Sequence, residues 1–237
     1  FLGAVLMRSA GCIVNDILDK EFDAKVLRTK DRPIASEKIS IKIAIFYSLS
    51  LCFLALLVLL NFNLYTIVLA LASMPFAFTY PLMKRFTYWP QLFLGITFNY
   101  GLILGWTSIT GKIDIVPIIF YLGAIFWTLG YDTIYGYQDI KDDEIIGIKS
   151  TSIKFKDKPY HVLIVCYSIF LISLFVVGYF MKFNKFSLII FLITVFQMYF
   201  IQLKKLNIDN ATSCLKVFKS NNYFGLIVFL GLLLGKL

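Results

Sequence analysis

At 237 residues the chain is long enough for one or two soluble domains, but 59% hydrophobic and 17% aromatic residues with a mean hydropathy of +0.79 make lipid the expected solvent. The formal charge of +9 would suit nucleic acid, yet the Lys and Arg residues sit in alternate loops instead of one interleaved patch, which excludes a nucleic-acid binder. Cys12, Cys52, Cys166 and Cys214 are far apart and lack CxxC spacing, so neither a disulfide nor a zinc site is expected.

A membrane crossing needs roughly 20 apolar residues. In chain order the apolar runs cover 1–18, 41–60, 64–82, 90–110, 115–136, 160–181, 186–203 and 220–236. The expected fold is therefore all-α, a multi-span transmembrane helical bundle of about eight helices forming a single domain over residues 1–237. Asn61, Phe62 and Asn63 alone separate the second and third runs, which must be antiparallel. Phe1 already lies inside an apolar run with no Met before it, so no signal peptide is expected and the N-terminus reads as truncated.

The connections alternate in character. Loops 19–40, 84–87, 137–159 and 204–219 are polar and basic, whereas 61–63, 110–114 and 181–185 are short and sparsely charged. Every register assigns the basic set to one side, and the positive-inside rule makes that side cytoplasmic. A bacterial plasma membrane is the first expectation for location, and a mitochondrial inner membrane the second.

Two acidic clusters stand out at that side. Residues 15–23 read NDILDKEFD, and on a helix Asn15, Asp19 and Asp23 share a face with Asp16 adjacent. Residues 132–143 read DTIYGYQDIKDD, where Asp132, Tyr135, Asp139 and Asp143 align in the same way. Carboxylates gathered at a membrane boundary repel one another, and desolvating each costs several kcal/mol unless something neutralises it. Oxygen-only ligation suits Mg²⁺, which completes its shell with water and phosphate oxygens. A diphosphate is then the expected third partner. Glu21, Asp142 and Glu144 fall off the stripes and read as solvated.

A leaving diphosphate needs positive charge besides the metal. Arg28, Lys30 and Arg32 follow the first cluster, Lys84 and Arg85 stand in the YPLMKR segment, and Arg8 lies within the first apolar run, where it is costly without a partner. Each competes with a plainer role as an orientation signal or lipid-headgroup contact. Of the aromatic residues, Tyr135 is assigned to a cavity, with Tyr100 and Tyr131 weaker candidates. His161 reads as an ordinary interfacial histidine.

These residues resemble the UbiA superfamily of intramembrane prenyltransferases over essentially the whole chain. Its first signature, NDxxDxxxD, stands as Asn15, Asp16, Asp19 and Asp23, and its second, DxxxD, as Asp139 and Asp143. Residues 28–33 and 80–91 are most similar to the 4-hydroxybenzoate polyprenyltransferase branch of ubiquinone biosynthesis. The resemblance implies a Mg²⁺-dependent transferase with Asp16, Asp19, Asp23, Asp139 and Asp143 as metal ligands. It implies Asn15, Arg8, Arg28, Arg32, Lys84 and Arg85 at the substrates, and Asp132, Tyr135 and Arg85 in the catalytic step. The implied substrates are polyprenyl diphosphate and 4-hydroxybenzoate, attacked ortho to its hydroxyl, with membrane lipid around the protein and no required protein partner. The family ordinarily has nine spanning helices, so the first is expected to be missing here.

Two other readings remain open in the sequence. An ion-coupled transporter also carries intramembrane acids, though nearer the midplane. A UbiA-type enzyme with a naphthoate, homogentisate or haem acceptor would share the acidic clusters.

Overall fold

The computed structural model describes residues 1–26 and 29–236, and among them there is no strand. In order the elements are α1 (Leu2–Leu18), α2 (Lys20–Asp23), α3 (Ile41–Leu59), α4 (Leu64–Thr79), a 3₁₀ turn (Tyr80–Leu82), α5 (Met83–Phe86), α6 (Pro90–Phe98), α7 (Gly101–Thr110) and α8 (Ile115–Gly136). There follow α9 (Ile140–Ile146), α10 (Thr151–Lys154), α11 (Pro159–Phe180), α12 (Lys185–Phe196), a π-helical turn (Gln197–Leu203) and α13 (Ala211–Lys236). The protein is an integral membrane helical bundle. Among the described residues, seven helices are long and apolar enough to cross a membrane. The first predicted run is the 17-residue helix α1, which at 1.5 Å per residue falls a little short of a hydrocarbon core of about 30 Å.

Two predicted boundaries move. The third run continues through the 3₁₀ turn and α5, making one unit over Leu64–Phe86. The last begins at Ala211, so much of the predicted loop 204–219 is helical. Hydropathy alone sees the polar face of this first part of α13. Cys214, Val217 and Asn221 on its other face are buried and hold it in the bundle.

Lipid supplies no hydrophobic force between helices, so close packing and internal hydrogen bonds hold such a bundle together. Helix α3 is apolar all round and buries only Ala44, Ser48 and Ala55, the small residues that allow a neighbouring backbone to approach. Gly95 of α6 serves α8 similarly, since a Cβ there would stand 2.9 Å from the Ile125 carbonyl oxygen. The interruption between α6 and α7 is bridged by the Asn99 amide, which donates to the Ala124 carbonyl at 3.1 Å and to Thr128 Oγ1 at 2.7 Å. The best-buried core lies between α8, α11 and α13, around Ile134, Leu163, Tyr167, Phe170 and Phe224.

Hydrogen bonds define two ends of the bundle. At one, Asn63 Nδ2 donates to the Thr107 carbonyl at 2.9 Å, and the Asn184 amide donates to the Gly235 carbonyl at 2.9 Å. The first ties turn 61–63 to the end of α7, and the second ties turn 181–185 to the end of α13. At the other, the Lys149 amide donates to the Lys84 carbonyl at 2.9 Å, Lys84 pairs with Asp19, and the Tyr160 hydroxyl donates to the Leu206 carbonyl at 2.8 Å. The basic loops therefore share one end, as their alternation in the sequence requires.

Candidate functional site

Both acidic clusters lie at breaks between a long helix and a short one, and here the structure corrects the predicted continuous stripes. Helix α1 ends at Leu18, and Asp19 takes φ −96° and ψ 1° before α2 resumes. Helix α8 ends at Gly136, and Asp139 takes φ −112° and ψ 9° before α9. The four-residue hydrogen bonds persist across the first break, from the Asp19 amide to the Asn15 carbonyl at 2.9 Å and from the Asp23 amide to the Asp19 carbonyl at 2.8 Å. Across the second break the bonds are three-residue ones, from the Tyr137, Gln138 and Asp139 amides to the Ile134, Tyr135 and Gly136 carbonyls, and the four-residue pattern resumes within α9, where the Asp143 amide donates to the Asp139 carbonyl at 2.9 Å. The bonds across the first break preserve its shared face although the helix is interrupted, because the i to i+4 relation that builds a face is the one they close.

The two faces line one cavity of about 560 Å³ at the basic end, together with Arg8, Asn15, Asp16, Asp19, Asp23, Arg32, Lys84, Asp132, Tyr135, Asp139 and Asp143. Arg28, the remaining predicted substrate residue, lies outside the described residues. Arg85 is elsewhere: its Nη2 donates to the Leu18 carbonyl at 2.6 Å, and its guanidinium lies 5.2 Å from the centre of the Phe22 ring. It braces the C-terminal end of α1, where orphan carbonyls carry partial negative charge. Tyr131 packs against Trp127 and Phe218, Tyr100 packs against Tyr121, and His161 is exposed.

Within the first cluster the carboxylates are held by the chain's own cations. One Arg32 nitrogen, Nη1, donates to Asp16 Oδ1 at 3.0 Å and to Asp23 Oδ2 at 2.9 Å. Lys84 Nζ pairs with Asp19 Oδ2 at 2.5 Å, with the Phe22 ring 5.4 Å below it. Asp19 and Asp23 are only 4% and 8% exposed. Burial pushes the Asp19 carboxyl above its ordinary value, opposed by the Lys84 charge. Among the described residues, Asp19 Oδ1 is buried with no hydrogen-bond partner.

No three acidic, histidine or cysteine side chains among the described residues are already gathered as a metal-binding set. The geometry supplies a reason. Arg32 Nη1 holds one oxygen of Asp16 and one of Asp23, and Lys84 holds one of Asp19, so each of these carboxylates already meets a cation of the chain itself. The donor chemistry nevertheless fits a hard divalent cation: the ligating atoms are carboxylate oxygens, and one of them is buried without a partner.

Several cavity residues escaped the sequence reading. Gln91 is 7% exposed, lines the cavity, and accepts from the Thr151 amide at 2.9 Å. Its signal was a polar side chain inside an apolar run, which is costly without a partner. Lys149 and Ser150 reach the cavity through the loop after α9. Phe218 lines it too, with its ring 4.5 Å from that of Tyr135. Nothing in the sequence links these two positions.

The structure is thus a multi-span membrane bundle with two aspartate clusters and opposing cations around a cavity at its basic end. The sequence matches the UbiA prenyltransferase family over residues 1–230, and the chain belongs to that family. It is 42% identical over 237 residues to the mitochondrial 4-hydroxybenzoate polyprenyltransferase of Drosophila melanogaster, covering 99% of this chain and 60% of that protein. It is 44% identical over 239 residues to the bovine (Bos taurus) protein of the same description, covering 99% of this chain and 63% of that one. The 4-hydroxybenzoate octaprenyltransferase of Francisella tularensis subsp. novicida is 40% identical over 232 residues, covering 97% of this chain and 80% of that one. The chain thus spans about 60% of the length of the mitochondrial relatives it matches.

The fold is that of solved UbiA homologues. The apo structure of one from Aeropyrum pernix superposes with a TM-score of 0.82 at 20% identity, covering 100% of this chain and 90% of that one. One from Archaeoglobus fulgidus, bound to GPP and Mg²⁺, gives a TM-score of 0.71 at 18% identity, covering 99% and 87%.

Proposed function

We propose that the chain transfers a polyprenyl group from polyprenyl diphosphate to the ring carbon of 4-hydroxybenzoate ortho to its hydroxyl, in ubiquinone biosynthesis. The observation that carries this reading is the convergence of both aspartate clusters, Arg32 and Lys84 on one cavity. The activities by which the relatives of 40–44% identity are named supply the acceptor. Those relatives are bacterial and mitochondrial, and in either membrane the cavity would face the side that carries the basic loops.

Asp16, Asp19, Asp23, Asp139 and Asp143 would hold Mg²⁺. Bound there, the metal supplies positive charge that neutralises the diphosphate as its ester bond breaks. Lys84 and Arg32 donate to the departing phosphate oxygens, and Asn15 adds an amide. Arg85 keeps α5 against α1 through the Leu18 carbonyl and so positions Lys84. The rings of Tyr135 and Phe218 present π faces to the allylic cation. Arg8 supplies a positive charge for the acceptor carboxylate, and Asp132 takes the ring proton that restores aromaticity. The apolar surround holds the prenyl tail and keeps water from the cation.

The test uses the purified chain in lipid nanodiscs with Mg²⁺, a polyprenyl diphosphate and 4-hydroxybenzoate, scoring the prenylated acid. Asp19→Asn and Asp139→Asn should each reduce turnover by about 10²-fold or more, the scale of losing one aimed electrostatic group. Turnover insensitive to both substitutions would refute the assignment.

A further inference from the structure

The arrangement of the first cluster also bears on the order in which its ligands arrive. Among the described residues, three carboxylates, from Asp16, Asp19 and Asp23, meet two cations, Arg32 and Lys84. Arg32 Nη1 occupies one oxygen each of Asp16 and Asp23, and Lys84 occupies one oxygen of Asp19. Metal entering alone would therefore meet carboxylates already shared with two cations and would stand close to both positive charges. A diphosphate changes the balance, because its oxygens accept the same N–H donors in the bidentate manner that guanidinium favours.

We propose that Arg32 and Lys84 are transferable counter-ions. They offset most of the negative charge of the first cluster in the free protein, pass to the diphosphate when it binds, and thereby make Mg²⁺ and diphosphate enter together and not metal first. This rests on the Mg²⁺-diphosphate reading of the cavity and adds an order of binding to it. The design has a physical benefit. Asp19 and Asp23 are nearly inaccessible to water, and an unpaired buried carboxylate is strongly destabilising. With the counter-ions in place, each of the three carboxylates has a cationic partner before substrate arrives. The freed carboxylates appear only when a ligand of the right charge is present to take the cations.

Linkage makes the proposal measurable, because diphosphate must raise the affinity for metal by the same factor that metal raises the affinity for diphosphate. The experiment is calorimetric titration of the detergent-solubilised full chain with Mg²⁺ alone, and again with saturating inorganic diphosphate corrected for Mg²⁺ binding to free diphosphate. Wild type should bind Mg²⁺ weakly alone and about tenfold or more tightly with diphosphate. Arg32→Gln should bind Mg²⁺ alone several-fold more tightly than wild type and lose most of the diphosphate enhancement. Lys84→Gln should do the same through Asp19, and provides the readout if Arg32→Gln does not fold. If wild type shows the coupling but neither variant gains affinity for Mg²⁺ alone, the counter-ion proposal fails and the metal-diphosphate reading stands. If wild type takes up no Mg²⁺ even with diphosphate present, both fail.

Discussion

Replacing Lys84 with Met isolates what the Asp19–Lys84 pair contributes to the metal-free protein. The substitution keeps the side-chain volume and the packing on Phe22 while leaving Asp19 with no ion-pair partner among the described residues, in a site where it is 4% exposed. Removing one member of a buried pair typically costs about 3–5 kcal/mol. Lys84 retains 20% of its side-chain exposure and Arg85 still lowers the Asp19 pKa, so the lower figure, about 3 kcal/mol, is expected. For a chain of this size that corresponds to a fall in melting temperature of about 6–12 °C.

The penalty should depend on pH with a definite sign. Burial raises the Asp19 pKa in the folded protein above its ordinary 3.8, so the folded state binds more protons than the unfolded one across that window and stability falls as pH rises through it. Losing Lys84 raises the folded pKa further and widens the window. Tryptophan-fluorescence melting in detergent with EDTA should therefore show a small deficit near pH 4.5 and the full deficit near pH 7.5. Adding Asp19→Asn to Lys84→Met should recover most of it. A deficit below 2 °C at the higher pH, or an equal deficit at both, would refute the electrostatic account.

Two further predictions concern the scaffold around the cavity. Gly95→Ala puts a methyl group 2.9 Å from the Ile125 carbonyl oxygen, a backbone atom with little room to yield, and should destabilise the bundle by about 1–3 kcal/mol in a thermal melt. Gln91→Leu removes the acceptor for the buried Thr151 amide, costing about 1–3 kcal/mol, while Gln91→Glu, which keeps an acceptor oxygen, should lose less; equal losses would separate Gln91 from this role.

The legibility of the site in the sequence had a clear limit. Asp16, Asp19, Asp23, Asp139 and Asp143 could be selected because acidic residues recur at the three- and four-residue spacing that periodicity detects, and across the first break the hydrogen bonds keep that spacing in the fold. The breaks themselves were invisible, since an interruption at Asp19 or Asp139 leaves that spacing intact. Arg85 shows the opposite case. Its neighbour Lys84 enters the cavity, whereas Arg85 caps α1, a division that adjacent basic residues cannot reveal. Gln91 and Phe218 reach the site from elements far apart in the chain, and only packing brings them there.

The sequence by itself determined a helical membrane protein whose basic loops share one end, because the cost of exposing backbone and charge to hydrocarbon is written in composition and alternation. It also marked the two acidic clusters, since charge at a membrane boundary demands a partner. What only the tertiary structure decided is which partners those are. One Arg32 nitrogen bridges Asp16 and Asp23 and Lys84 takes Asp19, pairings fixed by how a loop and two helix ends fold over one another and not by any local spacing.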